Sequence, residues 1–198
     1  ISIFDNMYFD QSIPSMKRWI LFLFCGLFFS IAVSAQTDTL PAQKKHGITF
    51  KKLFFDYSIP YTGDFLDFQQ YGDGFELGYL NRVTDQLEIY VPFRAGAVRF
   101  TDSLEQNQLF GLGVQGHYFL KSKNDVFQPY LTAGLNANVE SEGGFHMDVP
   151  LGIGMDITLL PSTALNIQAN YNYGIVLDRR SNVNITLGVK HYFIPKSE

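Results

Sequence analysis

The chain of 198 residues has one cysteine and one tryptophan, and past residue 35 it has no apolar run long enough to cross a membrane as a helix. A lone thiol, Cys25, cannot make a disulfide framework. Charge is sparse as well: 15 Lys and Arg against 19 Asp and Glu give a net charge of -4, with no basic footprint for nucleic acid. Helical spacing of apolar residues is scarce, which argues against a helical fold. No His, Cys, Asp and Glu grouping has metal-ligand spacing, and no glycine loop is built to cradle a phosphate, so neither a metal nor another cofactor is expected. What is present is aromatic and small: 19 Phe, 11 Tyr and 17 Gly, with the apolar content dispersed along the chain.

The one concentrated apolar stretch, Trp19 to Val33, follows Met16-Lys17-Arg18 and ends in Val33-Ser34-Ala35 before Gln36. Basic residues, an apolar core and small residues at its end make a secretory signal peptide over 16–35, cut between Ala35 and Gln36. The stretch is short for a retained membrane helix. Acylation of Cys25 is the competing reading, but Phe24 is too large for the position before an acylated cysteine. Residues 1–15 read as an upstream extension, 36–47 as a flexible lead-in, 48–194 as the folded body and 195–198 as a tail.

Within the body, apolar residues alternate with polar or small ones at a period of two. Leu87, Ile89, Val91, Phe93, Ala95 and Ala97 oppose Glu88, Tyr90, Pro92, Arg94 and Gly96. The same contrast sets Leu151, Ile153, Met155 and Ile157 against Gly152, Gly154, Asp156 and Thr158. Eight such segments are expected, over 48–61, 71–83, 86–100, 108–121, 126–140, 145–160, 164–177 and 182–194. They exceed the five or six residues of about average soluble strands. Tight connections at 84–85, 122–125 and 161–163 alternate with longer ones at 62–70 and 101–107. Lipid cannot satisfy an open sheet edge, so such strands must close on themselves. The fold class expected is all-β: a transmembrane antiparallel up-and-down barrel of eight strands behind a cleavable signal peptide. Aromatic residues fall near strand ends, with Tyr61, Tyr71, Phe110 and Phe145 toward one rim and Tyr79, Tyr118, Phe127 and Phe193 toward the other.

In lipid the apolar face turns outward and the charges turn inward. The expected lumen network is Asp56, Glu76, Glu88, Arg94, Asp156 and Lys190, with Lys52, Arg82 and Asp148 on the same faces. Eight strands enclose a space that side chains fill, so charges of both signs are expected to pair into a plug, with a narrow gated conduit as the alternative. Arg94 is expected to find Asp56, Glu76 or Asp156. His117 and His146 have no Ser at alternate spacing nearby, which leaves them as lumen or rim histidines, and no catalytic residue is expected.

The segment Asn184-Ile185-Thr186-Leu187-Gly188-Val189-Lys190-His191-Tyr192-Phe193 resembles the C-terminal signal strand of outer-membrane barrels, in which Gly188, Tyr192 and Phe193 would be read by the insertion machinery. With Phe55-Asp56-Tyr57-Ser58, Gly111-Leu112-Gly113-Val114 and Leu151-Gly152-Ile153-Gly154, the exported chain resembles the eight-stranded N-terminal barrel of the outer membrane protein A type over nearly all of its length. The resemblance implies an outer-membrane location, contact with outer-membrane lipid and lipopolysaccharide, and passage by periplasmic chaperones. It implies a structural or surface-interaction role, with porin-like solute passage second and lipid A modification third. Many members of that family add a soluble domain that grips peptidoglycan; with the sequence stopping at Glu198, that activity is not expected here. His191 interrupts the apolar face of the last segment.

Overall fold

A computed structural model of the chain describes residues 45–56, 71–99, 106–121, 125–141, 144–175 and 181–193. The expected signal peptide with Cys25, Ala35 and Gln36 lies outside the described residues, as does Tyr61. The eight strands are β1 (Lys45–Asp56), β2 (Tyr71–Arg82), β3 (Leu87–Arg99), β4 (Gln106–Phe119), β5 (Phe127–Glu140), β6 (Gly144–Leu160), β7 (Thr163–Gly174) and β8 (Asn182–Tyr192). Each pairs antiparallel with its neighbours in sequence, and β8 returns to β1, closing the barrel. The shortest strand has 11 residues and the longest 17, enough for a tilted strand to span a hydrocarbon core. Closure gives every strand two partners, so the barrel has no open edge to leave unsatisfied in lipid.

The two faces of this wall invert the arrangement of a soluble protein. Phe50, Leu77, Leu112 and Ile153 are more than half exposed on the outside, while Gln115, Asn136, Asn166, Gln168 and Asn170 are almost wholly enclosed. An exterior of this kind is stable only against an apolar solvent, because water would meet large side chains on every strand. Tyr79, Tyr118, Phe127 and Phe193 stand on the outer wall at the end that carries the tight turns, and Phe110 and Phe145 stand toward the opposite, loop end.

Apolar residues also cluster inside the lumen toward each end. Leu53, Phe55, Val98 and Leu109 cluster toward the loop end, and Leu80, Tyr90 and Tyr192 toward the turn end. Two inward tyrosines fit because the neighbouring strand offers glycine. A Cβ on Gly78 would collide with the Tyr90 ring, and one on Gly154 with the Tyr130 ring. Each glycine thus makes a slot, and the ring restores the packing that the missing side chain gives up.

The facing of β1 differs from the sequence expectation. Lys51 is fully enclosed in the lumen, whereas Lys52 stands on the outer wall beside Asp73, with its ammonium over the Phe75 ring at 4.6 Å. Pairing and an aromatic face let a lysine occupy that wall near the loop end. Asp56, the last residue of β1, shares the parity of Lys52; it is buried, but the ion pair of Arg94 is made with Glu76 instead.

Candidate functional site: the lumen charge network

Alternation in β3, β6 and β8 directs Glu88, Asp156 and Lys190 inward from three sides of the barrel, and there they meet. The Lys190 ammonium donates to Glu88 Oε1 at 2.9 Å and to Asp156 Oδ2 at 2.8 Å, with all three side chains enclosed. Glu88 also accepts from the Tyr192 hydroxyl at 2.7 Å and bonds His117 Nδ1 at 3.0 Å. Asp156 accepts from the Asn166 amide at 2.6 Å, and the same amide nitrogen reaches the Tyr130 hydroxyl at 2.7 Å. Both carboxylates here therefore have an opposite charge and neutral hydrogen-bond donors, and Lys190 has two opposite charges, the condition under which enclosed ions are tolerated.

A second knot lies one layer toward the loop end. Glu76 accepts from Arg94 Nε at 2.6 Å and from the Tyr90 hydroxyl at 2.5 Å, and it pairs with Lys51 at 3.1 Å. Lys51 donates across the lumen to Gln168 at 2.9 Å and lies over the Tyr90 ring at 4.3 Å. Gly188 is the register partner of Lys51, and a Cβ there would strike the Lys51 backbone and side chain. Gln168 joins the knots sideways, accepting from Tyr130 and donating to Gln115. The His117 ring is sandwiched between those of Tyr90 and Tyr130, at 5.1 and 4.5 Å. Above them Asp148 is held by the Asn136 and Asn138 amides, both at 2.6 Å.

Of the six charges expected in the lumen, five are brought into these two knots: Glu76 with Arg94, and Glu88 with Asp156 and Lys190. Asp56 is not among them. Alternation alone did not find Lys51, and it had no means of finding the amides and tyrosines that link the knots, since a neutral inward residue looks the same whether it bonds across the barrel or faces water. At the end of β8, Tyr192 turns inward to Glu88 while Phe193, the next residue, stands exposed on the outer wall, so adjacent aromatics serve opposite faces. His117 is walled into the lumen, and His191 bonds Thr163 on the outer wall at 3.1 Å.

The closed barrel fold is shared with solved structures. Neisserial surface protein A superimposes with a TM-score of 0.52 at 18% identity, over 76% of this chain and 97% of that one. The fold is that of the eight-stranded outer-membrane barrels. A second such barrel, the attachment invasion locus protein of Yersinia pestis in complex with the heparin analogue sucrose octasulfate, matches with a TM-score of 0.50 at 16% identity, over 76% of this chain and 99% of that one. No protein-family model and no curated protein matches the chain. In an outer-membrane barrel the apolar wall faces lipid, and the knots lie enclosed within that wall.

Proposed function

We propose that this barrel is a closed structural or surface-interaction element of the outer membrane, its lumen plugged by the paired charges. The observation that carries the reading is the Lys190 bridge, which ties β8 to β3 and to β6 through fully enclosed ion pairs and so crosses the bore. An open pore would leave such groups wet and separately solvated; here they bond to each other. The reading includes no catalytic step, since His117 spends its Nδ1 on Glu88 inside the wall. Its partners on this view are outer-membrane lipid and lipopolysaccharide along the wall, with periplasmic chaperones and the insertion machinery acting on Gly188, Tyr192 and Phe193 during biogenesis.

A gated conduit is the second reading, favoured by cavities at both mouths, one beside Arg82 and Asp156 and one beside Arg94 and Asp148. For ions to pass between them, both knots must open. Planar-bilayer recording on the purified protein separates the two. A quiet membrane supports the plug, and steady unitary conductance from the parent protein refutes it.

A further inference from the structure

Among the described residues, Arg82 is the inward cation that the two knots leave out. It is 5% exposed at the turn end of β2, its guanidinium lying 4.1 Å from the centre of the Phe119 ring. Its hydrogen bonds go to neutral acceptors: both Nη atoms reach Gln128 Oε1, at 3.2 and 3.3 Å, and Nη2 also reaches the Asp85 carbonyl at 2.9 Å. Among the described residues, no carboxylate forms an ion pair with it, and its buried Nε has no partner. An enclosed cation of this kind is expensive unless a counter-charge arrives from outside the chain.

The space for one is present. A cavity of about 50 Å³ opens at the turn end beside Arg82, Thr158 and Tyr192, room for about three or four water-sized groups. Asp156 also borders it, but its two oxygens are taken, one by Lys190 and one by Asn166. Thr158 accepts from the Gln128 amide at 3.3 Å, which leaves its own hydroxyl proton to give. Exposed Asp85 and Asp125 at the rim oppose a highly charged guest, and exposed Lys121 favours one.

We propose that the turn-end mouth is a binding site for a small oxyanion, received by Arg82 Nε–H and the Thr158 hydroxyl. A guanidinium N–H donates well to the oxygens of an oxyanion, and charge-assisted bonds in an enclosed mouth are the stronger kind. The site lies on the turn-end side of the Lys190 bridge, so occupancy needs no passage through the lumen.

The test uses the full chain refolded in a maltoside detergent, which brings no phosphate of its own, with inorganic phosphate as the probe. Side-chain nitrogen NMR follows the Arg82 Nε–H signal. A saturable shift with phosphate, weakened about tenfold or more in Arg82→Gln and more mildly in Thr158→Val, is the expected result. If Arg82→Gln does not fold, the parent titration and Thr158→Val still decide. A signal that stays still through the phosphate titration, or that shifts equally in Thr158→Val and the parent with no saturation, overturns the site. The same signal in nanodiscs of phosphatidylglycerol or phosphatidylcholine kept in phosphate-free buffer identifies the source: a shift with the discs alone makes the guest a lipid headgroup phosphate, and a shift only on adding inorganic phosphate makes it a free solute.

Discussion

Replacing Lys190 with methionine keeps a side chain of similar length and removes the charge that two carboxylates share. Lys190 and Glu88 are fully enclosed and Asp156 nearly so, so solvent offers little compensation. Breaking an enclosed pair by removing one partner costs about 3 to 5 kcal/mol, because the charge left behind stays buried. Glu88 keeps Tyr192 and His117 as donors, and Asp156 keeps Asn166, which holds the loss for Lys190→Met near about 4 kcal/mol instead of the sum of two broken pairs. Neutralising the carboxylates as well, in Lys190→Met/Glu88→Gln/Asp156→Asn, is expected to return most of that stability. Urea unfolding in detergent micelles measures it, followed by circular dichroism and by the gel mobility of unheated samples. The chain's one tryptophan, Trp19, falls in the expected signal peptide and reports nothing on the barrel. In a wet lumen, screening reduces each pair to about 0 to 1 kcal/mol. A Lys190→Met loss of that small size, with the triple variant no better than the single one, refutes the enclosed network.

Further outcomes follow from facing and packing. Ile153 is 63% exposed in the middle of β6, so Ile153→Arg should slow insertion into lipid vesicles and cost about 2 to 4 kcal/mol, while Ile153→Met inserts like the parent. Gly154→Ala drives a methyl into the Tyr130 ring and should cost about 1 to 3 kcal/mol in the same urea assay, and a Tyr130→Leu background should lose less from it. Tyr192→Phe removes a hydroxyl from Glu88 and should destabilise by about 1.5 to 3 kcal/mol, whereas Phe193→Leu on the outer wall changes urea stability far less. N-terminal sequencing of the protein recovered from the envelope should begin at Gln36; a chain that still carries Trp19 contradicts export by a cleaved signal.

The barrel was legible because lipid enforces alternation, and strands of at least 11 residues give it room to show. Where alternation weakened, so did the reading. In β1 both parities mix apolar and charged residues: Lys51, Leu53 and Phe55 point in, while Phe50, Lys52 and Phe54 occupy the other face. Two adjacent lysines cannot be told apart by pattern. The choice is made by tertiary partners, Glu76 and Gln168 for one and Asp73 for the other. The lumen charges were visible as inward charges, but which pairs form depends on strand tilt and on glycine slots such as Gly188, features that belong to the closed barrel and to no single strand.

The seam between β1 and β8 has a kinetic consequence. Ten residues of β1, from Gly47 to Asp56, find their second set of partners only in Val183 to Tyr192. A growing or exported chain must therefore carry β1 with one unpaired edge until the last strand is delivered, and its loop-closure entropy is met late, in one step. During that interval the exposed edge is a template for any other strand, including that of a second copy. Once shut, the seam does not fray strand by strand, because releasing β8 also withdraws Lys190 and Tyr192 from their bonds to Glu88 in the lumen. Slow assembly and slow disassembly thus share one cause, and a chaperone that shields the first strand would speed the yield of barrels without altering their final stability.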